Sequence, residues 1–232
     1  MNNVVSIVNS QDAVGKSTTA WHLARNMAAM GSRTLLVDCD PLSGLKARLP
    51  RVAAAWDRPC FLSEGIDAYA AVTVISERLH ALVGSTDLVA VELKDVRKAG
   101  RELMLKSLLD NLADDYDCAV IDTPSSLGLL TVNALVASDS VIVPICCDYF
   151  GMDGMTQVMN AIKNVADEHN DRLRLEGLLL TRYDDSLRST ERNLKELSHL
   201  FGDMMMQTVI RESNDPDADY AELAAELLRR WK

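Results

Sequence analysis

Gly15-Lys16-Ser17-Thr18 sets a lysine and two hydroxyls directly behind a glycine. That order suits phosphate. Backbone N–H groups at a helix N-terminus take anionic oxygens, a lysine reaches the β- and γ-phosphates, and a serine hydroxyl ligates Mg²⁺. Lys16 and Ser17 are the first candidates on this ground. Asp38 and Asp40 close one apolar run, "RTLLVDCD" (33–40), and Asp122 closes another within "CAVIDTP" (118–124). Carboxylates at the carboxyl ends of strands, beside such a loop, suit Mg²⁺ binding and the positioning of an attacking water. The plainer alternatives are a strand-to-helix turn with a solvated lysine, and aspartates that only cap the turns after their strands.

These residues need elements to hold them. Short β-branched runs predict strands at 4–8, 33–40, 77–85, 118–124, 140–147 and 175–181, with a last one at 206–210. Helical spacing of apolar residues marks 16–31, closed by Gly31, and then 100–115, 151–170, 186–202 and 217–232. This alternation predicts an α/β fold: a twisted, mostly parallel sheet with helices on both faces. Residues 42–76 carry the weakest pattern and read as a surface excursion with short helices. The 232 residues contain no repeat or linker and are expected to form a single domain, 1–232.

Composition excludes several classes. Hydrophobic content of 48% and charged content of 25% are those of a soluble globular chain. No apolar run approaches the ~20 residues of a membrane span. The N-terminus has no basic stretch ahead of an apolar one, so no signal peptide is expected. The five cysteines form no CxxC and read as small buried thiols rather than metal ligands, which fits a cytoplasmic chain. A net charge of −10 opposes nucleic-acid binding overall but permits a local basic patch.

"VGKSTTAWHLARNMAAMGSRTLLVDCDP" (14–41) resembles the first motifs of the ParA/MinD group of deviant-Walker P-loop ATPases. "DYDCAVIDTPSSLGLLTVNALVASDSVIVPICCDYFGMDGM" (115–155) resembles the middle block of ParA proteins. "STDLVAVELKDVRKAGRELMLKSLL" (85–109) and the closing "FGDMMMQTVIRE" and "DPDADYAELAAELL" fit the same pattern. The resemblance implies ATP and Mg²⁺ as cofactors and an ATP-sandwich homodimer. It further implies non-specific DNA binding, with nucleoid association where that binding is retained. A ParB-like adaptor would stimulate hydrolysis, and the cargo would be a plasmid, a chromosome region or a protein assembly. Carried over by position, Lys16 is the phosphate-binding lysine and Asp40 orients the hydrolytic water. Ser17, Asp122 and, through water, Asp38 serve the magnesium. Gln11, Asp12, Ala13, Val14, Gly15, Lys16, Ser17 and Thr18 form the nucleotide loop, and Arg211 falls near a base-contacting stretch.

The chain departs from that pattern in two places. The family loop reads Lys-Gly-Gly-x-Gly-Lys-Thr, and its first lysine reaches the partner subunit's phosphates. Here Gln11, Asp12 and Ala13 stand at the first three positions. Gln cannot neutralise charge, Asp adds a negative charge, and Ala lacks the conformational freedom of Gly. Three outcomes stay open: slow hydrolysis by an altered route, nucleotide binding in a dimeric scaffold without turnover, and loss of ATP binding. A metabolic P-loop enzyme, such as a small-molecule kinase, is a separate class of reading. The second departure is an abbreviated stretch between 210 and the closing helix. Arg182, Arg188, Arg192 and Lys195 are the candidate DNA contacts. Arg188, Arg192 and Lys195 recur at helical spacing, which fits either a weak DNA patch or a solvated face supported by Glu191–Lys195. Leu223, Leu227 and Leu228 in the last helix are expected to dock on the core rather than on a membrane.

Overall fold

The computed structural model describes residues 1, 3–42, 45–48, 60–63, 65–94, 99–146, 152–184, 186–213 and 215–231. The β-branched runs pair into a seven-stranded sheet in the order β3-β4-β2-β5-β1-β6-β7. Its strands are β1 (Asn3–Ile7), β2 (Thr34–Asp38), β3 (Val72–Val74), β4 (Leu79–Leu82), β5 (Cys118–Asp122), β6 (Ser140–Cys146) and β7 (Arg174–Thr181). All pairings are parallel except β3 with β4. Every residue of β2, β5 and β6 is buried. Their near-continuous apolar character follows, because a parallel sheet is covered on both faces.

The helices divide between those faces. On one side α1 (Lys16–Ala29) and α9 (Asp217–Arg230) bury Leu23, Met27, Leu223 and Leu227 against Val5, Ile7, Leu36 and Val120. Full burial of Leu223 and Leu227 contributes about 1.5–3 kcal/mol each. On the other side α5 (Met104–Asn111) and α6 (Leu129–Val136) pack on Leu35, Val37, Ala119 and Ile121. There too α7 (Met152–Glu168) and α8 (Arg188–Phe201) cover Val141, Val143, Leu178 and Leu180. Three short helices, α2 (Leu45–Arg48), α3 (Ala68–Ala71) and α4 (Asp87–Leu93), complete the α-helices among the described residues. Gly31, at φ 101°, stands just past the end of α1, and its N–H bonds to Ala28 O at 3.0 Å. This is the left-handed stop that the sequence predicts. As expected, Leu223 and Leu227 dock on the core; Leu228 is half-buried.

Two expectations need correction. Residues 206–210 do not form a strand. The segment runs beside β7 through two isolated bridges, Leu178 with Met205 and Tyr183 with Arg211. The physical reason is a competing acceptor. Gln207 N and Thr208 N donate to the buried Glu226 carboxylate of α9 at 3.0 and 2.9 Å, which takes them from any ladder. Conversely, the weakly patterned stretch 42–76 contains β3, an antiparallel edge strand. Residues 49–59 of that stretch lie outside the described residues.

Candidate nucleotide-binding site

The site assembles where three neighbouring strands end. Asp38 and Asp122 are register partners at the C-terminal ends of β2 and β5, and Asp122 is also the partner of Ile7 at the end of β1. The loop of interest leaves β1 and enters α1 at this edge. Gly15 caps α1 at φ 89°, and Gly15 O accepts the first helical bond from Thr19 N at 2.8 Å. Ala13 also adopts a left-handed conformation, φ 59°. The loop therefore keeps the backbone turn that glycine would adopt freely, at a cost of about 1–2 kcal/mol for a side chain with a Cβ.

The loop is pinned from three sides. Asn9 Nδ2 donates to Pro144 O at 2.6 Å, and Asn9 Oδ1 accepts from Gln11 N at 2.9 Å. Thr181, the last residue of β7, donates its hydroxyl to Val14 O at 3.0 Å and to Ile145 O at 3.2 Å. The Ser10 hydroxyl reaches Gly154 O of α7 at 3.4 Å. A Cβ on Gly154 would lie only 3.3 Å from Gln11 Nε2, so the Gln11 side chain rests on the first turns of its own α7. Thr18 accepts from Arg48 Nη2 at 3.0 Å.

Lys16 is 7% exposed. Its ammonium donates to Gln11 O and to Ser125 Oγ, each at 2.7 Å. Ser125 in turn donates to the Asp12 carboxylate. Burial pushes the Lys16 pKa below its ordinary value, while Asp12, Asp122 and Asp40 pull it back, in that order of strength. Asp122 is fully buried. Burial first, then the Asp38 charge, drive its pKa well above the ordinary carboxylate range, and the Ser17 hydroxyl works against the rise. Neither Asp122 oxygen has a well-formed hydrogen bond. A buried carboxylate left in that condition is costly unless a cation or ordered water completes it. The residues present therefore fit Mg²⁺, which Ser17 and Asp122 would hold. No three His, Cys, Asp or Glu side chains among the described residues form a metal-holding group. That is consistent with a cation that takes one or two carboxylates and completes its shell with phosphate and water.

Asp38 and Asp40 also do local work. Asp38 Oδ1 accepts from Asp40 N at 3.2 Å, and Asp40 Oδ1 accepts from Leu42 N at 2.9 Å. Gly84, beyond β4, lies close against them. A Cβ there would sit 2.5 Å from Asp38 O and 3.2 Å from Asp40 O.

A known family whose description reads "AAA domain" matches residues 2–175. The sporulation initiation inhibitor protein Soj of Bacillus subtilis is 36% identical over 215 residues, which cover 90% of this chain and 84% of Soj. The chromosome partitioning protein ParA of Myxococcus xanthus is 33% identical over 211 residues, 89% of this chain and 74% of that one. This chain belongs to the ParA/MinD group of P-loop ATPases. Among solved structures, cobyrinic acid a,c-diamide synthase from Mycobacterium smegmatis, with bound ADP and magnesium, superposes with a TM-score of 0.91. It is 31% identical and covers 100% of this chain and 96% of that one. A plasmid partition protein from Borrelia burgdorferi superposes with a TM-score of 0.82 over 98% of both chains, and at 22% identity it speaks for the fold alone.

Within this ParA/MinD-type fold, Gln11 to Thr18, Asp38, Asp40 and Asp122 converge on one edge of the sheet. Arg211, Arg182 and Lys195 among the other candidates have partners of their own. Arg211 is tied to Asp219, with Nε at 3.1 Å from both carboxylate oxygens and a further contact through Nη2. The Arg211 hydrogen bond is the main cause that holds Asp219 below the ordinary carboxylate range. Arg182 stands 3.5 Å from Glu212, and Lys195 donates to Glu191 at 2.6 Å. Arg192 is exposed on α8, and the Arg188 side chain lies outside the described residues. Sequence reasoning missed Ser125, Thr181 and Asn9. Ser125 alone left a signal, as a hydroxyl in the loop directly after Asp122.

Proposed function

We propose that the chain is an ATP-binding, dimerising ParA-type switch that positions a plasmid, a chromosome region or a protein cargo, with slow or altered ATP hydrolysis. One observation carries the reading: Asp122 is buried without a well-formed hydrogen bond, beside Ser17 and Lys16 at the mouth of a helix-capping loop. The named roles of Soj and ParA, and the ADP and magnesium in the mycobacterial structure, support extension of this chemistry to the present chain. When bound, magnesium supplies positive charge to the phosphate oxygens. Lys16 holds the β- and γ-phosphates, the loop N–H groups from Ala13 to Thr18 cradle their oxygens, and Asp40 orients a water. Arg182, Arg188, Arg192 and Lys195 supply a weak, salt-sensitive DNA contact, and an adaptor acts on the dimer.

Gln11 and Asp12 favour a second reading. Without the first loop lysine, the chain is a nucleotide-bound dimeric scaffold with no turnover. Phosphate release from Mg-ATP, with and without duplex DNA, separates the two when Lys16→Ala serves as the blank. Release above the blank supports the switch. Release equal to the blank, with and without DNA, removes the cycling reading for the isolated protein.

A further inference from the structure

Ser125 stands between two groups of opposite charge. It accepts a hydrogen bond from Lys16 Nζ at 2.7 Å and donates one to the Asp12 carboxylate. The second partner of Lys16 is the Gln11 carbonyl of the same loop, also at 2.7 Å. Both bonds that hold the phosphate-binding ammonium therefore come from this chain. Asp12 is the strongest of the acidic influences on Lys16, ahead of Asp122 and Asp40. Asp12 itself is exposed, so its charge keeps its hydration and costs the fold little. Its direction matters more. The carboxylate turns inward, over the loop, toward the group that a terminal phosphate must reach.

An anion that enters this loop meets a resident carboxylate. The repulsion grows with the charge of the phosphate chain, so a triphosphate is penalised more than a diphosphate. Asp12 belongs to a loop fixed by Asn9 and Thr181, which limits its retreat. We propose that Asp12 is a resident competitor for the terminal phosphate: through Ser125 it holds Lys16 toward itself, and it tilts nucleotide preference away from the triphosphate. This inference rests on the nucleotide-binding reading above and assigns the regulation of that same site.

Calorimetric titration with Mg-ADP and with a non-hydrolysable Mg-ATP analogue tests it, since binding is read without turnover. Asp12→Asn keeps the shape and removes the charge; Asp12→Gly restores the open loop. Each is expected to tighten the triphosphate analogue by roughly ten- to a hundredfold and ADP by at most about threefold. Asp12→Glu keeps the charge and is expected to keep the wild-type ratio. Equal gains for both nucleotides, or none for either, overturn the competitor and leave the nucleotide-binding reading intact. No binding of either nucleotide by wild type and both uncharged variants overturns the nucleotide-binding reading and the competitor with it.

Discussion

Glu226 replaces a β-ladder with one carboxylate, and its removal has a calculable cost. Oε1 accepts from Gln207 N at 3.0 Å and Arg230 Nη2 at 2.5 Å. Oε2 accepts from Thr208 N at 2.9 Å and Thr208 Oγ1 at 2.6 Å. In Glu226→Ala, Arg230 and the exposed Gln207 can turn to water, but Thr208 N is buried and is left without a partner. An orphaned buried donor costs about 1–3 kcal/mol, and loss of charge-assisted bonds adds to it. The expected loss is about 3–5 kcal/mol. Glu226→Gln should cost about 1–2 kcal/mol, because its NH₂ can be placed toward the two donors that water can still reach. Urea unfolding at pH 7 measures both, and in a chain of this size Glu226→Ala should lower Tm by roughly 6–20 °C. The pH dependence follows. Burial pushes the Glu226 pKa up, but the bonds from Thr208, Gln207 and Arg230 outweigh it, so the folded pKa lies below the ordinary value. Its stabilisation is complete above the unfolded value of about 4.3 and is lost as pH falls through the folded one. The gap between wild type and Glu226→Ala should close over that acidic range. A loss below about 1 kcal/mol at pH 7 would refute the assignment.

Gly84→Ala puts a Cβ 2.5 Å from Asp38 O. It should cost about 1–3 kcal/mol by overpacking, whereas Gly154→Ala, which meets the flexible Gln11 side chain at 3.3 Å and the Ser10 hydroxyl at 3.5 Å, should be close to neutral; denaturant unfolding of the pair decides. Ala13→Gly relieves a left-handed alanine and should gain up to ~1 kcal/mol, whereas Ala13→Val should lose about 1–2 kcal/mol by the same assay. Asn170→Ala removes the donor to Leu135 O, Val136 O and Ser138 O at 3.0, 3.3 and 2.6 Å, and should cost about 1–2 kcal/mol; Tm reports it. His22 is packed on Tyr220, and burial lowers its pKa despite the Asp217 bond. The unfolded state therefore takes up the proton first, so stability should fall as pH drops below about 6.5, and His22→Gln should flatten that slope.

Residues whose position follows from a strand end or helix start could be read in advance. Lys16, Ser17, Asp38, Asp40 and Asp122 each sit at or just beyond such a boundary. Thr181 and Asn9 act because the fold brings distant segments together, Thr181 to Val14 and Asn9 to Pro144, and no local pattern encodes that proximity; Ser125 left only its place in the loop after Asp122 as a signal. The same holds for 206–210. Its β-branched residues resemble a strand, but the competing acceptor, Glu226, belongs to another element. β3 escaped notice because three residues at a sheet edge are too few to show a period. At Ala13 the opposite happened. The missing glycine suggested an altered turn, yet the surrounding bonds hold alanine in glycine's conformation.

The pairing of α1 with α9 bears on how the chain is made. The ribosome releases α1 early and α9 about 190 residues later. At ~5–20 residues per second, the apolar face of α1 waits roughly 10–40 s for its permanent cover. Leu23, Met27 and the stacked His22 are thus left during translation without the helix that later seals them. A nascent chain stalled before Asp217 would carry the whole phosphate loop on a helix without its outer layer. Such a chain should be prone to association with chaperones and other apolar surfaces. Synthesis of α9 is then also what brings the phosphate loop's helix to maturity.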